Sequence, residues 1–592
     1  MKLTPHDPRD ATDHNRMIIA VILSLVILLG YEMLFARDTP PPQPATQAEA
    51  VARTATLSQE AAKPLTREQA LSGAGRIAIK GARVTGSLSL KGARLDDLSL
   101  NGHYKTVEKK EPVSLLNPSR APHAFYAESG WVAERAGIAV PGPDTVWSLV
   151  RGSATVLESN GKPVVLQWDN GQGLVFERAL TLDGNYLFSV TQRIINNTGE
   201  SLSFNPYYLV SRTGRPPDFQ GTYILHEGPI GYLGEKHVEA SYNDLADGEK
   251  TEENGTHGWL GITDRYWMVT LLPQPGDTFN ARIVGDAAQH FQTDIVESTL
   301  TVAPGQTAEN KVWVYAGVKD LGVMQSYQQQ YGFRNLNLNI DFGIWFFITQ
   351  PFYMLFHFLA GILGHIGFAI LAITVLIRVA LFPLATRSYI SMARMKVIMP
   401  MLKEIQAKHK DDKVAMQMEI MDLYKRENAN PFSGCWPLIV QIPIFFALYK
   451  VILLSAELRH APFPGWVYDL SAPDPTNIFT LFGLIPWEPP GILHIGLWPL
   501  LFCLTMIVQK RLSPPMPDPV QEKIHTYFPY FITVMLANFA AGLVIYWTWS
   551  NTLAVLQQYY ILRKYGQEEV SLLRGHHQRR KPKKAGKDKG KS

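Results

Sequence analysis

Between residues 342 and 562 the chain carries apolar runs too long for the surface of any soluble fold. About 20 apolar residues are needed to cross a bilayer as a helix. Inside lipid every backbone N–H and C=O must be paired internally, so runs of this length are confined to helices. Five candidate spans follow, at 364–384, 434–455, 493–509, 526–541 and 542–562. The last two meet at Ala540, Ala541 and Gly542 with almost no loop. Several are near 17 residues, which predicts hydrophobic mismatch and local thinning of the bilayer. A separate run at 17–35 holds a single charge, Glu32. It exceeds the 7–15 apolar residues of a cleaved signal peptide, so the expectation is an uncleaved signal anchor within residues 1–37.

The rest of the chain has a different character. Overall 46% of residues are hydrophobic and 18% charged, against about 25% charged in soluble domains. The mean hydropathy of −0.04 averages a membrane part and an ordinary polar part. Residues 38–75 begin with a Pro-, Ala- and Thr-rich stretch of linker composition. From Arg76 to about 335 short segments such as LVFERALTL alternate apolar and polar residues between glycine-bearing turns. That period of two predicts a large antiparallel β-sandwich. Two cysteines, Cys435 and Cys503, exclude a disulfide scaffold and a cysteine-based zinc site.

Residues 336–362 contain FGIWFFITQPFYMLFHFL, with Gln350 and Pro351 in its middle and several aromatics before them. A helix lying in the membrane interface is the expectation, with a transmembrane hairpin as its rival. Lys and Arg count orients the remainder. Loop 385–433 holds nine, from Arg387 to Arg426; loop 510–525 holds Lys510, Arg511 and Lys523; loop 456–492 holds only Arg459. This places 385–433, 510–525 and the tail in the cytoplasm and the sandwich outside, giving six spans with both termini cytoplasmic.

No HExxH, GxSxG, P-loop or dinucleotide motif occurs in a suitable setting, and no cofactor or metal is expected. His365, His460, His494 and His525 are scattered at membrane edges and are read as interfacial polar residues. Arg378, flanked by apolar residues, is the exception that calls for a role. An arginine within a span costs about 3 kcal/mol on insertion scales. Snorkelling to the cytoplasmic surface is the rival reading. Arg387, the next cation, lies nine residues on, about 13 Å along a straight helix, which is further than the side chain reaches. Thr374 lies one turn before Arg378, Gln441 lies on the second of the five spans, and Tyr546, Ser550 and Asn551 lie at helical spacing on the last. Together they predict a hydrophilic pocket within the bundle.

Loop 385–433 predicts an antiparallel helical hairpin with Met392, Met395, Met399, Met418 and Met421 at helical spacing. Flexible thioethers suit a surface that accepts many apolar sequences, and a hairpin packing them on itself is the alternative. The tail 563–592 ends in a basic run with Arg579, Arg580, Lys581, Lys583 and Lys584. It is expected to be solvated, to fix topology, and to attract anionic lipid or the phosphates of RNA.

The segments LIRVALFPLATRSYISMARMKVIMPMLKEIQAK, NPFSGCWPLIVQIPIFFALYKVI and ELRHAPFPGWVYDLSAPDP closely resemble the YidC/Oxa/Albino family of membrane insertases, in its Gram-negative form with a large periplasmic domain. The resemblance is dense over about 340–565 and looser around GWLGITDRYWMVTLLP. It implies a periplasmic β-supersandwich, an interfacial helix and a five-helix core, 363–562, around a groove open to the cytoplasm and to lipid. It also implies groove roles for Arg378, Thr374 and Gln441. A paired tyrosine position reads Tyr546 and Trp547 here, so one hydroxyl is lost, and the link before it lacks the expected Trp and Pro. The partners implied are nascent membrane-protein chains, the Sec translocon, the ribosome, the signal-recognition-particle receptor and anionic lipids, with a monomeric functional unit. The competing classes are a secondary transporter using Arg378 to bind a small anion, and a sugar-binding or envelope enzyme whose outer sandwich resembles sugar mutarotases. Internal repeats expected of the former, and an acid/base pair expected of the latter, are not found in the sequence.

Overall fold

The computed structural model describes residues 65–73, 75–219, 221, 225–427, 436–487, 490, 494–513 and 519–580. The expected signal anchor at 17–35 lies outside them, as does residue 38–64 of the linker. The linker's end forms helix α1, Arg67–Ser72, because Thr66 and Gln69 make a reciprocal capping box.

Two sheets of eleven and nine strands form the sandwich. At the centre of the larger, strand Leu202–Thr213 pairs antiparallel with Phe125–Ala133 and with His290–Glu297. In the smaller, Leu187–Asn196 lies between Leu174–Leu182 and Thr307–Val318. One departure from the antiparallel expectation is the parallel pairing of Arg76–Lys80 with Val156–Glu158. The short helix α2 covers Tyr242–Ala246.

Alternation in LVFERALTL sends Leu174, Phe176, Leu180 and Leu182 inward, and the same register sends Arg178 inward too. Its guanidinium donates to the carbonyls of Gly92 (3.2 Å) and Ala93 (3.0 Å) and to Gln192 Oε1 (3.2 Å), and stacks on Trp147. With carbonyls rather than a carboxylate as hydrogen-bond partners, its pKa is lowered by burial to about 10.

A second buried charge has the opposite fate. Glu297 accepts from Asn310 Nδ2, itself bonded to Tyr208, yet burial lifts its carboxyl to about 7 from 4.5. The folded state therefore holds this proton more tightly than the unfolded chain. The stabilisation is complete below the unfolded value and is lost as pH rises towards 7, a loss of about 3 kcal/mol. Glu297→Gln is expected to raise the melting temperature at about pH 8 and barely change it at about pH 5. Equal shifts at both pH values would contradict the assignment.

After the last strand, helix α3, Leu321–Tyr331, starts at an Asp320 cap and stops at Gly332, whose φ of +76° suits only a residue without Cβ. A 3-10 turn, Leu336–Asn339, leads into α4, Phe346–Leu363. The helices that follow are α5, Ile366–Ala380; α6, Phe382–Lys408; α7, Lys413–Arg426; α8, Trp436–Leu454; α9, Leu497–Leu512; α10, Pro519–Leu536; and α11, Ala541–Arg580. One apolar core runs unbroken from the sandwich through α3 and α4 into α5, α8 and α11. Polar contacts fasten the same junction. Lys450 Nζ on α8 meets Asp341 Oδ2 at 2.7 Å, Arg265 donates to the Leu453 carbonyl, and Arg459 donates to the carbonyls of Tyr104 and Lys105.

Among the described residues, α4 alone meets the length and hydropathy of a span by itself. The bent pair α5 and the start of α6, Phe382–Met392, meets it jointly, with an angle of 64° between them. The remaining helices carry proline, charge or fewer apolar residues. At about 1.5 Å per residue, the 15 residues of α5 cover about 22 Å of a hydrocarbon layer near 30 Å thick.

Candidate functional site

Arg378 occupies the last turn of α5, where the partial negative charge of the helix end favours a cation. The bend after Ala380 changes the depth argument made from sequence. Three residues along α5 and six along a helix inclined at 64° bring Arg387 to a level only about 8 Å away, against 13 Å for a straight helix. Arg378 nevertheless turns into the bundle, where its Nη2 donates to Ser550 Oγ on α11 at 2.8 Å. One turn earlier on α11, the Tyr546 hydroxyl accepts from Gln441 Nε2 of α8 at 3.4 Å. Tyr546 and Ser550 are buried, while Gln441 and Arg378 are half-buried. A polar thread of four residues thus links three helices, α5, α8 and α11.

Other residues expected at the site are placed differently. Thr374 is buried, and its hydroxyl donates to the Ile370 carbonyl at 2.6 Å, so it is spent on its own helix. Trp547 stacks on Phe445 with centroids 5.1 Å apart and planes at 7°. Asn551, next to Ser550 and about 100° round the helix, points to α9, where Nδ2 donates to Thr505 Oγ1 at 3.0 Å. Trp549 Nε1 reaches the Leu371 carbonyl and ties α11 to α5.

Sequence reasoning missed Thr505 and the pair Gln557 and Gln558. Both glutamines are buried, and Gln557 Nε2 and Gln558 Oε1 have no hydrogen-bond partner among the described residues. Their signal was the spacing of seven from Ser550 and Asn551, which returns to the same faces after two turns.

The hairpin of α6 and α7 has an apolar core of its own, built from Ile398, Met399, Leu402, Ile405 and Leu423. Asp412 starts α7 by accepting from the Val414 and Ala415 N–H groups. The five methionines divide. Met399 is in the core and Met395 packs beside it. Met392 packs with Tyr389 and Ile561 where α6 leaves the bundle. Met418 and Met421 are exposed, in a row with exposed Val414. Three of the five thus pack within the hairpin or at its root, and two face outward. Arg579 and Arg580 are the last residues of α11, while Lys581, Lys583 and Lys584 lie outside the described residues.

Apolar helices with a polar thread inside, sharing one core with a large sandwich, define a membrane protein with a β-domain. Residues 76–355 match the YidC periplasmic domain and residues 358–568 match the 60Kd inner membrane protein family. Over 575 residues the chain is 42% identical to the membrane protein insertase YidC of Maricaulis maris, covering 94% of this chain and 97% of that one. It is 44% identical over 537 residues to the corresponding insertase of Brucella suis, covering 90% and 87%. A crystal structure of an active YidC insertase with its first transmembrane domain resolved aligns over 86% of this chain and 99% of its own, at 15% identity and a TM-score of 0.35. The chain belongs to the YidC family of membrane protein insertases.

Proposed function

We propose that this chain inserts and helps to fold integral membrane proteins in the bacterial inner membrane, with its sandwich in the periplasm. Family membership over nearly the whole length supports this and leaves the anion-transporter reading without support. The observation that carries the mechanism is the polar thread Gln441–Tyr546 and Ser550–Arg378 between α8, α11 and α5. A polar flank of a substrate must shed water to cross, which is costly unless new partners replace that water. Arg378 supplies a cation for an acidic flank, and Gln557 Nε2 and Gln558 Oε1, which have no hydrogen-bond partner among the described residues, supply further polar groups. Short helices thin the bilayer and shorten the path that remains. The apolar segment then leaves sideways because burial in lipid is favourable.

In this reading Val414, Met418 and Met421 on the hairpin receive the apolar segment first, and Met392, Met395 and Met399 hold the hairpin together. The topology is six spans with both termini in the cytoplasm, α4 lies along the interface, and the functional unit is a monomer. The basic tail engages the ribosome and anionic lipid electrostatically, and the chain works alone or with the Sec translocon and the signal-recognition-particle receptor.

Photocrosslinkers at Gln441 and Tyr546 are expected to capture stalled nascent membrane-protein chains, whereas one at the exposed Leu376 is expected to capture lipid. Nascent chains captured from Leu376 and never from Gln441 or Tyr546 would sink the groove assignment.

A further inference from the structure

The segment that joins α8 to α9 is built in two parts. Its base is polar and tightly held. Asp474, 1% exposed, accepts from Trp466 Nε1 (3.0 Å), from the Thr476 N–H (3.0 Å) and hydroxyl (2.7 Å), and from the Trp498 N–H (2.8 Å). Thr476 Oγ1 accepts from the Leu497 N–H, and the Ile478 N–H reaches the Ile495 carbonyl. Both ends of the loop are therefore pinned at the first turn of α9.

Its tip is the reverse. From Pro475 to Trp487 there is no charged residue. Phe479, Leu481, Leu484, Ile485 and Trp487 are all exposed, Leu484 at 83% and Leu481 at 54%. The 3-10 turn Ile478–Gly483 starts at Asn477, whose side chain accepts from the Phe479 N–H. Leu481 sits at a φ of +44°, a conformation that a branched side chain adopts only where its surroundings impose it.

We propose that this tip is a membrane anchor seated in the headgroup–acyl boundary of the outer leaflet. Two placements favour lipid over another occupant. The tip is rooted at the N-terminal end of α9, and on the six-span topology proposed above that end lies at the outer boundary of the bilayer, with lipid beside it. The side of the membrane is set by the junction with the sandwich, since α8 ends at Lys450 and Leu453 against Asp341 and Arg265, and the loop begins directly after. Exposed Leu504 and Val508 continue the apolar surface down α9. An uncharged group of Leu, Ile and Phe with Trp at its margin has the composition that partitions into this zone. Left in water, the same patch would be a liability for association.

A nitroxide attached at Leu484→Cys, with Cys435 and Cys503 replaced by alanine, tests this in proteoliposomes of the purified full chain. Its collision rate with oxygen relative to a water-soluble nickel chelate is expected to be several-fold higher than at Lys162→Cys on an exposed sandwich loop. A ratio equal to that at Lys162 would place the tip in water, free for a protein partner, and overturn the proposal. Low access to both reagents with spin–spin broadening would show a second copy of the chain and overturn it equally. A measurement without cysteine replacement uses lipids brominated near the headgroup. Trp487→Phe is expected to reduce the quenchable share of the tryptophan emission, and an unchanged share would count against lipid contact.

Discussion

Arg378→Ala is expected to lower insertion of a single-span substrate with an acidic translocated flank by at least about tenfold. On insertion scales a charge at the bilayer centre costs about 3 kcal/mol, and each 1.36 kcal/mol is a factor of ten. A substrate carboxylate that gains Arg378 recovers part of that cost, so removing the cation returns one to two factors of ten. Ser550 would lose its donor at 2.8 Å and the thread would retain only the Gln441–Tyr546 contact. A substrate with an uncharged flank should lose much less. Arg378→Lys should recover part of the activity, because an ammonium supplies the charge but not the planar fork. Quantified insertion into proteoliposomes, with both flanks compared side by side, checks the prediction. Equal losses for the two flanks would point to a structural role for Arg378.

The second large effect lies in the sandwich. Arg212 and Asp264 are both buried, with a paired contact that includes Nη2 to Oδ2 at 2.8 Å. Tyr242 OH accepts from Arg212 at 3.1 Å, and the Phe125 ring lies under the guanidinium. Burial alone would lower the arginine's pKa, but the Asp264 carboxylate and the Tyr242 hydroxyl together more than offset this and raise it. Arg212→Met leaves a buried carboxylate without its main partner, a change that costs about 3–5 kcal/mol. For a domain of this size that is a fall of about 10 °C in melting temperature. Asp264→Asn should cost at least as much. Fully buried Lys319 also faces Asp264, and burial already lowers its amine to about 8. Losing the carboxylate leaves Arg212 without its paired anion and removes one of the three carboxylates, with Glu227 and Asp341, that favour the Lys319 cation. Calorimetry of the purified variants tests the order; a milder Asp264→Asn would show that Lys319 draws nothing from this carboxylate.

Much of this architecture could be read from residue order. Alternation over 174–182 predicted a half-buried strand, and it is one, because neighbouring side chains of a strand point to opposite faces. Spacing of three and four predicted the hairpin of α6 and α7, and its turn falls at Asp412 as expected. Of the site, Arg378 was conspicuous because a cation among apolar residues is costly wherever it sits. Its partner was harder to identify. Thr374, Ser550 and Asn551 looked equivalent in sequence, yet Thr374 bonds its own backbone, Ser550 meets Arg378 and Asn551 meets Thr505. Azimuth about a helix separates them, and this depends on which neighbour each face meets. Buried charges in the sandwich were equally hidden. Arg178 and Arg212 sit in ordinary alternating strands, and nothing local distinguishes an inward arginine from an outward one.

Local chemistry alone thus determined the division into a β-rich part and a membrane part, since periodicity and run length depend only on neighbouring residues. It also determined the presence of one arginine in an apolar helix. The tertiary structure decided which polar groups that arginine meets, how far the bend at Ala380 shifts its depth, and which methionines face outward. It alone brought the apolar tip at 479–487 beside the first turn of α9. These are relations between segments distant in sequence, set by packing and by the pairing that buried polar groups require.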